Sequence, residues 1–216
     1  MKRRSAVGSL FVLAGACTAS APAVCWAHEP DNPDAHRSMP NQVTAGLIAV
    51  CPAYLRFEPS TSDAITVAGA ACVGGAISFA RELTRTFELR VRVEYDKPFF
   101  FDDAVGTSLH DFRATAGPSF VAYRMKDNLT ITVGAEIGLA GFIVDPPDAQ
   151  ASPTPLPQTE AWGLVVGGSA AIRPWLTYHT GLFAEVGYGY AVGWSNDLDV
   201  RATTIGRLMV GWADRF

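Results

Sequence analysis

A chain of 216 residues with a formal charge of −4, 49% hydrophobic and only 18% charged, is the size of one domain or one barrel. The acidic balance excludes the basic footprint that nucleic acid would require. Beyond the N-terminus no apolar run approaches the roughly 18 residues of a spanning helix, so any passage through a membrane has to be made by strands.

Lys2, Arg3 and Arg4 followed by the short apolar run SLFVLAGA predict a signal peptide over residues 1–27, cleaved between Ala27 and His28 behind the small residues Cys25 and Ala27. The leucine of LAGAC sits one place too far upstream for lipoprotein processing at Cys17, and that route would also strand Cys25 as an odd thiol after export. Cleavage after Ala27 removes Cys17 and Cys25 together and leaves Cys51 and Cys72 as an even pair. Residues 28–42 are polar, proline-bearing and aperiodic, and are expected to form a flexible periplasmic segment. His28 and His36 lie among acids there without the spacing of a tight metal site, so no metal and no cofactor is expected.

Residues 43–216 change texture, with Val, Ile, Phe, Tyr, Thr and Gly in alternation and turn signals between. Strands are expected at 44–57, 65–80, 86–96, 109–124, 128–143, 160–173, 175–192 and 199–216. Most exceed the roughly 9 to 11 residues of a tilted membrane-crossing strand. RELTR, MKDN and RPW make one set of short turns. EPSTSD, the segment 96–108, the proline-rich segment 144–159 and WSNDLD make a longer, more polar set. Short turns on one rim and long loops on the other describe a membrane barrel with the short turns in the periplasm. The fold class read from this pattern is all-β, an eight-stranded antiparallel up-and-down transmembrane β-barrel. Pro52 and Pro118 fall inside strands and predict local bulges, the second at Ala116, Gly117 and Pro118.

TFELRVRVEYDKP poses the question of which face is wet. Phe87, Leu89, Val91, Val93 and Tyr95 share one side; Glu88, Arg90, Arg92 and Glu94 share the other. Extended to the other strands, parity places Glu88, Arg90, Arg92, Glu94, Asp111, Arg113, Glu136, Glu185, Arg201 and Arg207 on polar faces rich in small residues, five acids against five bases. Such balance suits a narrow lumen where charges must neutralise one another. A turn about Asn196 would set Glu185 opposite Arg207, and a turn between Thr61 and Ser62 would set Cys51 opposite Cys72. Export favours oxidation of those cysteines; the strain of a cross-strand disulfide favours two thiols. Aromatic residues gather at both strand ends, with Phe79, Phe87, Tyr123, Trp175, Tyr178, Trp212 and Phe216 near the short turns. Tyr54, Tyr95, residues 99–101, Trp162, Tyr188, Tyr190 and Trp194 lie near the long loops. Two such belts match the girdles of a transmembrane barrel, so the charged side is expected to face inward.

The signal peptide, the sustained alternation, the charged lumen and the terminal LMVGWADRF together resemble the small eight-stranded outer-membrane barrels, of the OmpA membrane-domain and OmpX type. The resemblance implies residence in the bacterial outer membrane and a C-terminal strand read by the barrel assembly machinery, with Trp212 and Phe216 at the aromatic positions; Asp214 departs from the hydrophobic residue usual there. No periplasmic domain like that of OmpA is expected after Phe216. Outer-membrane lipid and lipopolysaccharide are the expected surroundings, and a monomer the expected state.

No catalytic residue is expected. His179 is the tempting catalyst, because lipid A deacylases on small barrels use Ser, His and an acid, and the RPW turn would set Ser169 across from His179. Glu185 lies roughly 20 Å along the strand from that imidazole, and the local run reads His179, Thr180, Gly181, Leu182, so a structural lumen histidine is favoured. His110 beside Asp111 reads as a polar rim pair. The lumen charges read as a sealing salt-bridge ladder, with a narrow channel as the competing reading. The proline-rich loop is the expected contact surface for an outside partner, weighed against a solvated shielding role, and FFFDD the expected contact with the outer lipid interface. The function read from the sequence is therefore a structural or surface-interaction barrel working through its long loops, with a lipid A-modifying enzyme or a narrow channel as the alternatives.

Overall fold

In a computed structural model the described residues are 41–216 apart from 51–52, 61–62, 100–107, 126–127 and 146–158. The signal and most of the lead-in, with His28 and His36, lie outside them, as do Cys51, Pro52, most of FFFDD and the proline-rich loop. The strands are β1 (Asn41–Val50), β2 (Ala53–Pro59), β3 (Ile65–Thr84), β4 (Phe87–Phe99), β5 (Ser108–Met125), β6 (Leu129–Asp145), β7 (Thr159–Pro174), β8 (Thr180–Trp194) and β9 (Leu198–Arg215). Every pairing is antiparallel. β1 and β2 both pair with β3 on one side and β9 on the other, so they are two lengths of one stave in a ring of eight.

Closure satisfies the backbone, since an open edge in hydrocarbon would leave N–H and C=O groups unpaired at several kcal/mol each. Asn41 and Phe216 complete the seam, exchanging backbone hydrogen bonds of 3.3 and 3.0 Å. Along β4 the alternation is strict: Leu89, Val91 and Val93 are exposed, while Glu88, Arg90, Arg92, Glu94 and Asp96 are buried. Leu47, Ile77, Val133, Ile137, Leu139, Leu164, Val166 and Val186 continue the exposed apolar surface around the ring. A continuous apolar exterior of this size has no place in water and fits a bilayer. The charged face of TFELRVRVEYDKP is the inside.

The structure corrects several local expectations. Register is continuous across Pro118: Ala116 pairs with Ile137 and Ser119 with Gly134, with Gly117 and Pro118 unpaired to β6 between them. No residue is inserted there; the irregularity falls later, between Val121 and Tyr123. The last short turn is longer than RPW, because Leu176 and Thr177 donate backbone bonds to the Thr180 carbonyl and β8 starts only at Thr180. Trp175 consequently leaves the girdle: it is buried, donates Nε1–H to Thr130 Oγ1 at 3.1 Å, and lies under the Arg215 guanidinium. Its neighbours in an inner apolar cluster include Phe183, Ile48, Cys72 and Met209, and Phe183 is the residue of β8 that breaks a polar inward face. The remaining aromatics at the short-turn end, among them Phe79, Phe87, Tyr123, Trp212 and Phe216, are exposed.

The lumen is also apolar at the long-loop end. Leu55, Phe57, Val67, Leu109, Phe142, Val144, Leu198 and Val200 pack together inside the ring. Strands that run past the bilayer have water on their outer face, and the inside then fills as an ordinary hydrophobic core. Ile137 is 62% exposed near the middle of β6. Ile137→Arg is therefore expected to cost about 2–4 kcal/mol of folding stability in lipid vesicles, measured by denaturant titration.

Candidate functional site

The central lumen holds an ionic column. On β4, Glu88, Arg90, Arg92, Glu94 and Asp96 follow one another inward at alternate positions. Eight steps at a rise of about 3.3 Å carry the column roughly 26 Å along the strand, or roughly 20 Å along the barrel axis at a tilt of about 40°, most of an apolar band of about 25 Å. Glu185, Glu136 and Arg207 reach it from across the ring, and Arg113 and Asp111 from the neighbouring β5. Arg90 donates to Glu185 Oε2 at 2.9 Å and to Ser169 Oγ at 2.5 Å. Arg92 is hydrogen-bonded to the other Glu185 oxygen and lies 3.6 Å from Glu136 Oε2. Arg207 binds Glu94 and stands 3.6 Å from Glu136 Oε1, and Arg113 lies 3.7 Å from Glu94. Arg113 also donates to both Asp111 oxygens, with Nε 3.1 Å from each. Thr115 Oγ1 donates to Glu136 Oε2 at 3.2 Å.

Nearer the short turns a second group forms around Arg173, which donates from Nη1 to Glu88 Oε1 at 3.0 Å and to Gln42 Oε1 at 2.9 Å. Thr44 and Ser78 share a 2.6 Å hydrogen bond close by. Glycine makes room for these long side chains. A Cβ on Gly187 would stand 3.1 Å from Nη2 of Arg207, and one on Gly134 would stand 3.3 Å from Nη2 of Arg90, tighter than ordinary contact.

Of the residues read from sequence as lumen charges, Glu88, Arg90, Arg92, Glu94, Asp111, Arg113, Glu185 and Arg207 are buried and Glu136 nearly so. Arg201 is not among them. It lies on the outside, half-exposed, because the β8–β9 register slips between Gly187 and Gly189 and the extra residue inverts the parity of β9 between Thr204 and Arg207. The turn is centred between Asn196 and Asp197, as Gly193 pairs with Val200, and the slip adds one residue more, so Glu185 stands opposite Met209, Arg207 faces Gly187, and the two are not a cross-strand pair. Arg173 and Asp96 join the set instead; the first sits in what reads as a turn and the second in what reads as a loop. Both were accessible to parity, since Arg173 continues Ser169 and Ala171, and Asp96 continues Glu94. Among the described residues the balance of five acids and five bases accordingly becomes six carboxylates (Glu88, Glu94, Asp96, Asp111, Glu136, Glu185) and five guanidinia (Arg90, Arg92, Arg113, Arg173, Arg207).

Cys72 is buried and disulfide-bonded. The flanking ladder pairs are Ile48 with Gly74 and Ala53 with Ala70, and Cys51 itself lies outside the described residues. Trp212 and Phe216 are exposed on the final strand, and Asp214 beside them accepts from Thr180 Oγ1 at 2.8 Å and from Trp212 Nε1 at 3.1 Å. Two local neighbours thus satisfy the carboxylate that departs from the hydrophobic pattern.

His179 is on the exposed turn before β8, not in the lumen, and its Nδ1 lies 3.3 Å from the Arg215 carbonyl. Ser169 faces Gly187 across the ladder and its hydroxyl is bonded to Arg90, so the serine and histidine of a deacylase-like centre do not meet. His110 and Asp111 point to opposite sides of β5. Asp111 is inside with Arg113, whereas His110 is outside with Tyr95 Oη at 2.8 Å and Asp145 Oδ2 at 3.4 Å. Among the described residues no three of His, Cys, Asp and Glu come together as a metal site.

Removing one partner of a buried pair leaves an uncompensated charge, which is worth about 3–5 kcal/mol. Glu185→Gln is expected to lower unfolding stability in detergent micelles on that scale, because Arg90 and Arg92 both lose their nearest carboxylate. In a double-mutant cycle, Arg92→Ala should cost less in the Glu185→Ala background than in the wild type. His179→Ala, by contrast, should leave the lipid A composition of cells overproducing the protein unchanged, as read by mass spectrometry.

No family model and no curated protein matches the chain. Among solved structures, Neisserial surface protein A (NspA) superposes with a TM-score of 0.53 at 16% identity, covering 82% of this chain and 97% of that one. The outer membrane protein OprG from Pseudomonas aeruginosa does so with a TM-score of 0.52 at 11% identity, covering 82% and 96%. At such identities the likeness is one of fold, and it coincides with a ring of eight antiparallel staves, an apolar exterior and a charged interior. The chain has the transmembrane β-barrel fold of the small outer-membrane barrel proteins.

Proposed function

We propose that this chain is a monomeric barrel of the bacterial outer membrane with a non-conducting lumen, acting as a structural or surface-interaction protein through the outer ends of its strands and its long loops. The observation that carries the reading is the filled interior. An ionic column in which each guanidinium has a carboxylate within 4.0 Å is overlaid at the long-loop end by Leu55, Phe57, Leu109, Phe142, Leu198 and Val200. An eight-stranded ring has just the width that side chains can fill. Ions crossing it would have to part buried salt bridges and then an apolar layer, each costly.

In this reading residues 1–27 direct export, the Cys51–Cys72 pair is oxidised after export, and Trp212 and Phe216 on the final strand are the marks taken up by the barrel assembly machinery. Membrane lipid and lipopolysaccharide surround the exterior, whose aromatics at the long-loop end (Tyr54, Trp162, Tyr188, Tyr190, Trp194) are exposed in a belt. The long loops are the places where a partner would be met.

Two measurements test this. The protein in the outer-membrane fraction should migrate differently on gels with and without boiling. Reconstituted in planar bilayers with insertion verified, it should give no steady conductance steps; discrete steps would replace the sealed barrel with a narrow channel.

A further inference from the structure

Two arginines stand opposite each other on the outside of the barrel. Arg56 of β2 and Arg201 of β9 are direct cross-strand partners, with side chains 53% and 50% exposed. Two residues toward the bilayer are Tyr54 and Thr203, themselves partners, and on β8 Tyr190 faces Thr203 while Val192 faces Arg201. Trp194 lies two residues further out along β8. Tyr54, Tyr190 and Trp194 are exposed members of the outer aromatic belt, so both guanidinia emerge within that belt, where headgroups meet the hydrocarbon.

Like charges directly opposite destabilise a strand pair. Among the described residues Glu58 is the one group that bonds either arginine: Arg56 Nε lies 2.7 Å from Oε1 and Arg201 Nη2 lies 3.3 Å from Oε2. Glu58 pairs with Asp199 two residues further from the bilayer, so the acids lie to the outside and the bilayer side of the cluster is cationic. Each guanidinium has five N–H donors, most of which Glu58 does not take up.

We propose that Arg56 and Arg201 form an interfacial clamp for the phosphate of an outer-leaflet lipid headgroup. A phosphate between the two forks accepts charge-assisted, bidentate hydrogen bonds from both, relieves their mutual repulsion, and seats its acyl chains against Tyr54, Tyr190 and Leu164 on the apolar wall. The proposal rests on the outer-membrane reading and names the lipid chemistry its outer belt would select.

The test uses the full-length protein refolded in neutral detergent, with folding verified by the boiling shift, titrated with lipid A and with dephosphorylated lipid A by native mass spectrometry. The wild type should bind lipid A at least about tenfold tighter than the dephosphorylated form, and the Arg56→Gln/Arg201→Gln variant should lose that preference, as charge-assisted hydrogen bonds require. Glu58→Gln, which frees both arginines, should bind as tightly as the wild type or more so. Equal affinity for the two lipids, or an unchanged preference in the double variant, would overturn the proposal. So would a loss of binding in Glu58→Gln equal to that of the arginine variant, which would make the arginines structural ion-pair members only. Displacement by equimolar inorganic phosphate would assign the cluster to a free anion and also overturn it. Failure of the outer-membrane reading shows separately, as a wild type with no boiling shift and no fractionation with the outer membrane.

Discussion

The backbone's need for hydrogen bonds in a solvent that offers none governs the rest of this structure. Once strands line the bilayer, the sheet has to close, and closure brings the first and last strands together at Asn41 and Phe216. Closing a ring of eight staves sets the interior width, and that width decides that side chains, not water, occupy it. The alternation of the sequence then has a single solution, with Val91 and Val93 turned to lipid and Arg90, Arg92 and Glu94 turned to one another.

Burying so many charges is not an efficient route to stability. An apolar interior of the same volume would often do as well, since desolvation offsets much of the Coulomb attraction. What the ionic column adds is geometric coupling between distant strands. Arg90 and Arg92 of β4 reach Glu185 of β8, Arg207 of β9 reaches Glu94 of β4, and Arg173 of β7 reaches Glu88 of β4. Each contact spans the lumen and ties staves that are not neighbours in the sheet. The glycines at positions 134 and 187 belong to the same arrangement, because an added methyl group at either would press on a guanidinium.

Polarity reverses along the barrel axis. In the middle the exterior is apolar and the interior charged; toward the long loops Leu55, Phe57, Phe142 and Val200 are inside while Arg56, Glu58 and Arg201 are outside. The reversal follows the solvent. Where lipid surrounds the ring the outer face must be dry, and where water surrounds it the inner face takes up the apolar residues. The aromatic belt with its arginine pair marks the transition between the two regimes.

The ring of strands, the position of the wet face and most of the lumen charges were legible in the sequence, because alternation has a period of two and an eight-strand register leaves few other uses for it. The two rims and the aromatic belts were legible for the same kind of reason, each resting on local composition. Tertiary structure decided what one residue more or less can change. The slip beside Gly187 turns Arg201 to the outside, the slip and the centre of the β8–β9 turn together separate Glu185 from Arg207, and the longer turn before Thr180 keeps His179 out of the lumen and moves Trp175 into it. Parity carries no memory of an inserted residue, and turn length is set by which carbonyl the returning chain can reach. The chain by itself determined that it forms a barrel with a charged centre; only pairing across the closed ring decided which charges meet.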